Sequence, residues 1–215
     1  MTKTKLIALS GIDGSGKSTQ IEMMKEHYES KGLSVKYLWT RGGSTNGINR
    51  LKSLIRFFAG SSLPSSGHSS KRDEMLGNFW IQRLWLITSI LDLLRIYSIS
   101  IRWCLARKNM VICDRYIWDT LIDFNIMFPH IDIEKWMLWK ILVWFTPIPE
   151  KSILLTIPLS LSEERCLKKF DPFPDSPEVR ETRYQLYVSL SKKNKWKIID
   201  SSSSRDDVFQ AIMNT

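Results

Sequence analysis

Gly11-Ile12-Asp13-Gly14-Ser15-Gly16-Lys17-Ser18 is the stretch that decides the fold, because it fits G-x-x-x-x-G-K-[ST] and its flanks supply the context that pattern needs. Lys5 to Ser10 is a short apolar run that reads as a strand. Thr19 to Lys31 reads as a helix, with Gly32 placed to end it. Glycines let the backbone curl so that successive N–H groups and the helix N-terminus converge on phosphate oxygens. Lys17 then reaches the β/γ-phosphates, and the Ser18 hydroxyl takes Mg²⁺. The expected phosphate-binding set is Gly11, Asp13, Gly14, Ser15, Gly16, Lys17, Ser18 and Thr19, and the ligand is a nucleoside triphosphate. The strand and helix on either side separate this reading from a chance match in a Gly/Ser-rich turn.

Further apolar, β-type runs alternate with helical patterns: Leu33 to Trp39, Met110 to Cys113, Ile153 to Ile157 and Trp196 to Ile199. That alternation predicts an α/β chain with a parallel sheet of about five strands wrapped by helices on both faces, a P-loop NTPase-type three-layer sandwich. At 215 residues without a linker-like stretch, one domain over 1–215 is expected. In such a sheet ligands sit at the C-terminal strand ends. The loops there carry the phosphate loop, Thr40-Arg41-Gly42-Gly43-Ser44-Thr45 and Asp114-Arg115-Tyr116. Asp114 closing an apolar strand suits a Mg²⁺-bound water, and Arg115 can grip a phosphate bidentately. An Asp-Arg pair can also simply cap the following helix, and Arg41 in a Gly-rich loop can be a solvated side chain.

Thirty-one Lys and Arg against 22 Asp and Glu leave a net charge of +9. With no long run of like charge and no nucleic-acid motif, a pocket for polyanionic substrates accounts for the excess better than a nucleic-acid surface. Cys104, Cys113 and Cys166 are widely spaced and read as reduced thiols, and the scattered His27, His68 and His130 offer no metal pattern. Met-Thr-Lys-Thr-Lys leads straight into the first strand, so no secretory leader and a cytoplasmic location are expected. Asp73 to Lys108 is one near-continuous helical pattern. Trp80, Trp85, Leu86, Ile90, Leu93, Leu94, Tyr97, Ile101 and Leu105 form its apolar side. Arg83, Asp92, Arg95 and Arg102 interrupt it, which argues against a membrane span. It and the Trp136 to Phe145 stretch read as core, as a homodimer face, or as a membrane-surface element, in that order. Gly60 to Ser70 reads as a flexible loop.

The phosphate loop, the Thr-Arg-Gly-Gly loop at Thr40, Asp114-Arg115-Tyr116, the helix with Arg180 and Arg183-Tyr184, and the closing Ile198-Ile199-Asp200 together resemble thymidylate kinases over nearly the whole chain. The resemblance implies that ATP with Mg²⁺ donates its γ-phosphoryl group to a nucleoside monophosphate. It makes Lys17, Asp114, Arg115 and Arg165 catalytic, with Ser18 and Asp114 at the metal. It places Asp13 at the acceptor sugar's 3′-hydroxyl, Arg115 and Arg41 on the acceptor phosphate, and Phe79 and Arg83 on the base. A mobile lid over roughly 165–178 would present Arg165, Lys168 and Lys169, and the segment after Asp200 would lie along the adenine. A homodimer is implied as well.

The chain departs from the family pattern in two places. The Thr-Arg loop lacks the family's Glu-Pro, and Asp119 and Asp123 stand where a hydroxyl and an amide would read thymine. Four residues apart on one helix face, the two acids either line the acceptor pocket, which predicts weak activity on thymidine monophosphate, improved by Asp119→Ser, or point to solvent or cap neighbouring backbone, as Asp commonly does in a helix's first turn. Two alternatives follow: a kinase of the same fold acting on another anionic metabolite or a glycan or lipid precursor, and a nucleotide-binding switch protein without kinase activity.

Overall fold

A computed structural model of the chain describes residues 6–40, 79–169 and 175–215. Five strands form one all-parallel sheet: β1 (Leu6–Gly11), β2 (Val35–Trp39), β3 (Met110–Asp114), β4 (Lys151–Thr156) and β5 (Lys197–Asp200), in the spatial order β2-β3-β1-β4-β5. β1 and β3 are buried along their whole length, as expected of central strands covered on both faces. From β1 the chain runs through α1 to β2 on one side, and from β3 it crosses to β4 on the other, and this divergence between the neighbouring β1 and β3 opens the crevice above their C-terminal ends.

Two cores line the faces. On one, Ile7, Leu9, Ile112, Ile153 and Leu155 meet Ile21 and Met24 of α1 (Lys17–Ser30) and Val208 and Ile212 of the C-terminal helix α8 (Arg205–Met213). On the other, Ala8, Val111, Cys113 and Leu154 meet the larger helical layer: α2 (Phe79–Leu94), α4 (Ile117–Met127), α5 (Met137–Phe145) and α7 (Pro177–Ser191). The expected three-layer α/β sandwich is therefore present. The helix after the phosphate loop starts two residues earlier than its sequence pattern, at Lys17, with Gly16 as a left-handed cap at φ +84°.

The long helical pattern before β3 is divided. α2 passes into a π-helical segment, Arg95–Ile101, and then α3 (Arg102–Ala106). The wider turn has a reason in the packing. Tyr97 is fully buried there, and its hydroxyl pairs with Thr40 Oγ1 at 2.8 Å and Thr120 Oγ1 at 3.2 Å. The expectation that no stretch approaches a span needs correction: Gln82–Ala106, with mean hydropathy 1.6, is long and apolar enough to cross a membrane. One side of it packs in the larger core, where Leu86, Ile90, Leu93 and Tyr97 are 0% exposed, while Leu84, Leu91, Ile99 and Trp103 on the other side are exposed. Trp80, expected on the same apolar side, instead faces solvent at 75% exposure. Arg41, the Gly60 to Ser70 loop and residues 170–174 of the expected lid lie outside the described residues.

Candidate active site

The phosphate loop joins β1 to α1 through backbone that only glycine accepts comfortably. Gly11 sits at φ +145°, and a Cβ there would come within 2.5 Å of the Leu155 carbonyl oxygen. Gly14, at φ +78°, lies against the backbone of α6 (Leu159–Lys169), where a Cβ would meet Ser162 O at 2.7 Å. That close approach lets the Ser162 hydroxyl donate to the Asp13 carbonyl at 2.6 Å, fixing the loop to α6.

The loop opens into a cavity of about 510 Å³ lined by Asp13 to Gln20 of the loop and α1, by Asp114 and Arg115, and by Trp39. The far wall consists of Arg165 and Cys166 of α6 with Ser201, Ser203 and Arg205 after β5. Arg165 donates to the carbonyls of Gly14 and Ser201, at 3.4 and 3.1 Å, and so bridges the phosphate loop to the loop after β5. The balance of the lining, Lys17, Arg115, Arg165 and Arg205 against Asp13 and Asp114, favours a polyanion.

Lys17 is buried, with its ammonium donating at 2.8 Å to the carbonyls of both Gly11 and Ile12. Burial, reinforced by the neighbouring charge of Arg115, brings its pKa down to about 8. Arg115 occupies the left-handed region at φ +70°, unusual for a residue with a side chain. Backbone contacts hold it there: its N–H donates to Leu9 O at 2.8 Å and its carbonyl accepts from Thr40 Oγ1 at 3.2 Å. Its guanidinium is 3% exposed and donates to the Asp13 carboxylate and, at 3.2 Å, to the Tyr187 hydroxyl. Burial alone would lower its pKa, but Tyr187 and the carboxylates of Asp13, Asp123 and Asp119 outweigh it and raise the value.

Asp114 ends β3 at 5% exposure. One of its oxygens accepts from the Tyr37 hydroxyl at 3.2 Å, while Oδ1 is buried without a protein partner. A buried carboxylate oxygen left unmatched beside a phosphate loop suits a cation, and the exposed Ser18 lines the same cavity. Among the described residues no group of three His, Cys, Asp or Glu forms a protein cage for a metal. The residues present thus fit Mg²⁺ held chiefly by phosphate oxygens, with Ser18 and Asp114 completing the contacts.

Other expected site residues are placed differently. Asp119 is 1% exposed and does not line the cavity; it accepts from Ser10 Oγ, the Tyr187 hydroxyl and the Tyr116 backbone N–H, the last a capping contact at the start of α4. Burial raises its pKa despite Arg115 and these donors. Asp123 pairs with the buried Arg183. Neither acid reaches toward an acceptor, because their lone pairs are spent inside the protein. Phe79 and Arg83 do not line the cavity either: the Arg83 guanidinium stacks 4.1 Å over the Phe79 ring and 5.7 Å from Trp136. Lys168, expected in a lid, lies in the regular helix α6 and pairs with Glu164 in solvent. Tyr187 and Tyr37 were not legible as site residues. Tyr187 follows Arg180 and Arg183 on one face of α7, and that spacing is the signal that could have found it.

No protein-family model matches the chain. Curated relatives match it end to end. The probable thymidylate kinase 1 of Saccharolobus solfataricus is 26% identical over 210 residues, covering 96% of this chain and 93% of that protein. The thymidylate kinase of Thermosipho africanus is 27% identical over 96% of this chain and 94% of its own. The probable thymidylate kinase of Methanosphaera stadtmanae is 28% identical over 97% and 95%. These matches support a thymidylate kinase family assignment. The phosphate loop, Asp114 and Arg115, and Arg165 of α6 are the parts of this chain that meet in the cavity.

The depressed pKa of Lys17 gives a pH test. Phosphates bind the protonated ammonium, so above about 8 nucleotide binding must first restore a proton, and affinity falls as pH rises. ATP affinity is expected to drop about 25-fold between pH 7.5 and 9.5, with proton uptake measurable by calorimetry in buffers of different ionisation enthalpy; Lys17→Ala removes both effects.

Proposed function

We propose that the protein transfers the γ-phosphoryl group of ATP to thymidine monophosphate, with Mg²⁺, in the cytoplasm. The observation that carries this reading is the meeting of Lys17, Asp114 and Arg115 in one cavity on a chain that matches thymidylate kinases over its whole length. Phosphoryl transfer asks a protein for in-line positioning and cations rather than for covalent chemistry. Lys17 lies on the donor's β/γ-phosphates, Arg165 on the donor side above α6, and Arg115 faces the acceptor phosphate beside Asp13. Mg²⁺, when bound, neutralises charge shared between the donor phosphates. Asp13 is placed to meet an acceptor hydroxyl. The internal bonding of Asp119 and Asp123 removes the chemical reason for preferring another acceptor to thymidylate.

Coupled ADP release over a panel of nucleoside monophosphates and phosphorylated metabolites tests the assignment. Thymidine monophosphate is expected to give the highest kcat/KM. Lys17→Ala should lower kcat by about two to three orders of magnitude, since one preorganised cation at a phosphoryl centre is worth on the order of 3 kcal/mol. Arg115→Ala should raise the acceptor KM far more than the ATP KM. Wild-type turnover by Lys17→Ala, or no thymidylate phosphorylation, refutes the reading.

The protein is further proposed to act as a homodimer. Trp80, Leu84, Ile87 and Leu91 stand exposed along α2 at alternating four- and three-residue steps, the spacing of a helix-to-helix seam, with exposed Met137 and Trp144 on neighbouring α5. Light scattering should report twice the monomer mass of 25.1 kDa, and Leu84→Glu with Ile87→Glu should return it to that value. A monomer in the unmodified protein refutes the dimer.

A further inference from the structure

Tyr37 sits on the edge strand β2, where no motif would single it out. Val35 packs on the core beneath α1 and Leu38 on the opposite core, so strand alternation puts Tyr37 and Trp39 on the α1 side of the sheet. That is the side from which Ser18 reaches the cavity. β2 pairs in parallel with β3, with Trp39 opposite Asp114, and the Tyr37 hydroxyl reaches along the strand to Asp114 Oδ2 at 3.2 Å. The other carboxylate oxygen, Oδ1, is buried with no protein donor. A carboxylate turning about its terminal torsion would exchange its two oxygens; a donor on one of them sets which oxygen is offered to a cation. Trp39, half exposed beside it, lines the same cavity.

We propose that Tyr37 is a positioning residue for a magnesium site: its hydroxyl fixes the Asp114 carboxylate so that Oδ1 stays free for Mg²⁺, which Ser18 and Asp114 would hold. The inference rests on the phosphoryl-transfer reading for the role of Asp114, and it adds a residue outside the sequence motifs. Tyr37 touches neither phosphate nor metal; it acts through Asp114 alone.

The measurement is the Mg²⁺ coupling of nucleotide binding: the affinity for a non-hydrolysable ATP analogue with Mg²⁺ divided by that in a chelator. Tyr37→Phe keeps the ring and its packing and removes only the donor. It should cut the coupling ratio about three- to tenfold, the worth of one ordinary hydrogen bond, while affinity in chelator stays within about twofold. In an Asp114→Ala background the same substitution should change the ratio by less than about twofold, because its route to the metal has been removed. An unchanged ratio in Tyr37→Phe, or an equal drop with and without Asp114, overturns the proposal. Intact Mg²⁺ coupling without phosphorylation of any monophosphate would refute the proposed activity and leave the Tyr37 assignment standing.

Discussion

A guanidinium buried to 3% exposure must have its charge met inside the protein, and the site is organised around how Arg115 meets that demand. Leaving such a charge unpaired costs about 3–5 kcal/mol, a large share of a domain's stability. Asp13 comes from the phosphate loop, Tyr187 from α7, and Asp119, which orients the Tyr187 hydroxyl, from the first turn of α4. Ser10 at the end of β1 closes the network on Asp119. One cation thus ties together the strand, the loop and two helices, beside the Asp123–Arg183 pair that also joins α4 to α7.

The same network accounts for the unusual backbone of Arg115. A left-handed residue with a side chain costs on the order of 1 kcal/mol, and it persists here because Leu9 O and Thr40 Oγ1 hold both of its backbone polar groups. The turn aims the guanidinium across the mouth of β1 at the phosphate loop instead of out along α4. Thr40 is held in turn by the Tyr97 hydroxyl from the π-helical segment, so the widened turn in the long helix contributes to the same corner. The path from fold to function runs through these few polar contacts at the strand ends.

The sheet, the phosphate loop and the Asp114-Arg115 pair were legible because each rests on local chemistry: alternation of apolar runs, glycine spacing, a carboxylate closing a strand. The roles of Asp119 and Asp123 were misread. Their spacing showed that they share a helix face but not what that face meets, and Tyr187 and Arg183, sixty or more residues later, bond their oxygens. Arg83 was read as a base contact, and here it stacks over Phe79, the other residue of that expected contact. Tyr37 and Tyr187 were invisible for the same reason: a tyrosine on a strand edge or a helix face acquires its meaning only from a partner that tertiary packing brings within reach.

If the network positions Arg115 for the acceptor phosphate, then removing one oxygen from it should disturb acceptor binding without touching the donor site. Steady-state kinetics of Tyr187→Phe tests this directly. The account predicts an acceptor KM raised about tenfold, with the KM for ATP within about twofold of the unmodified protein, since the hydrogen bond lost is to the buried Arg115 charge, while on the loop side the same hydroxyl makes only a long contact to the Gly11 carbonyl, at 3.3 Å. Equal effects on both substrates, or none on either, would contradict it.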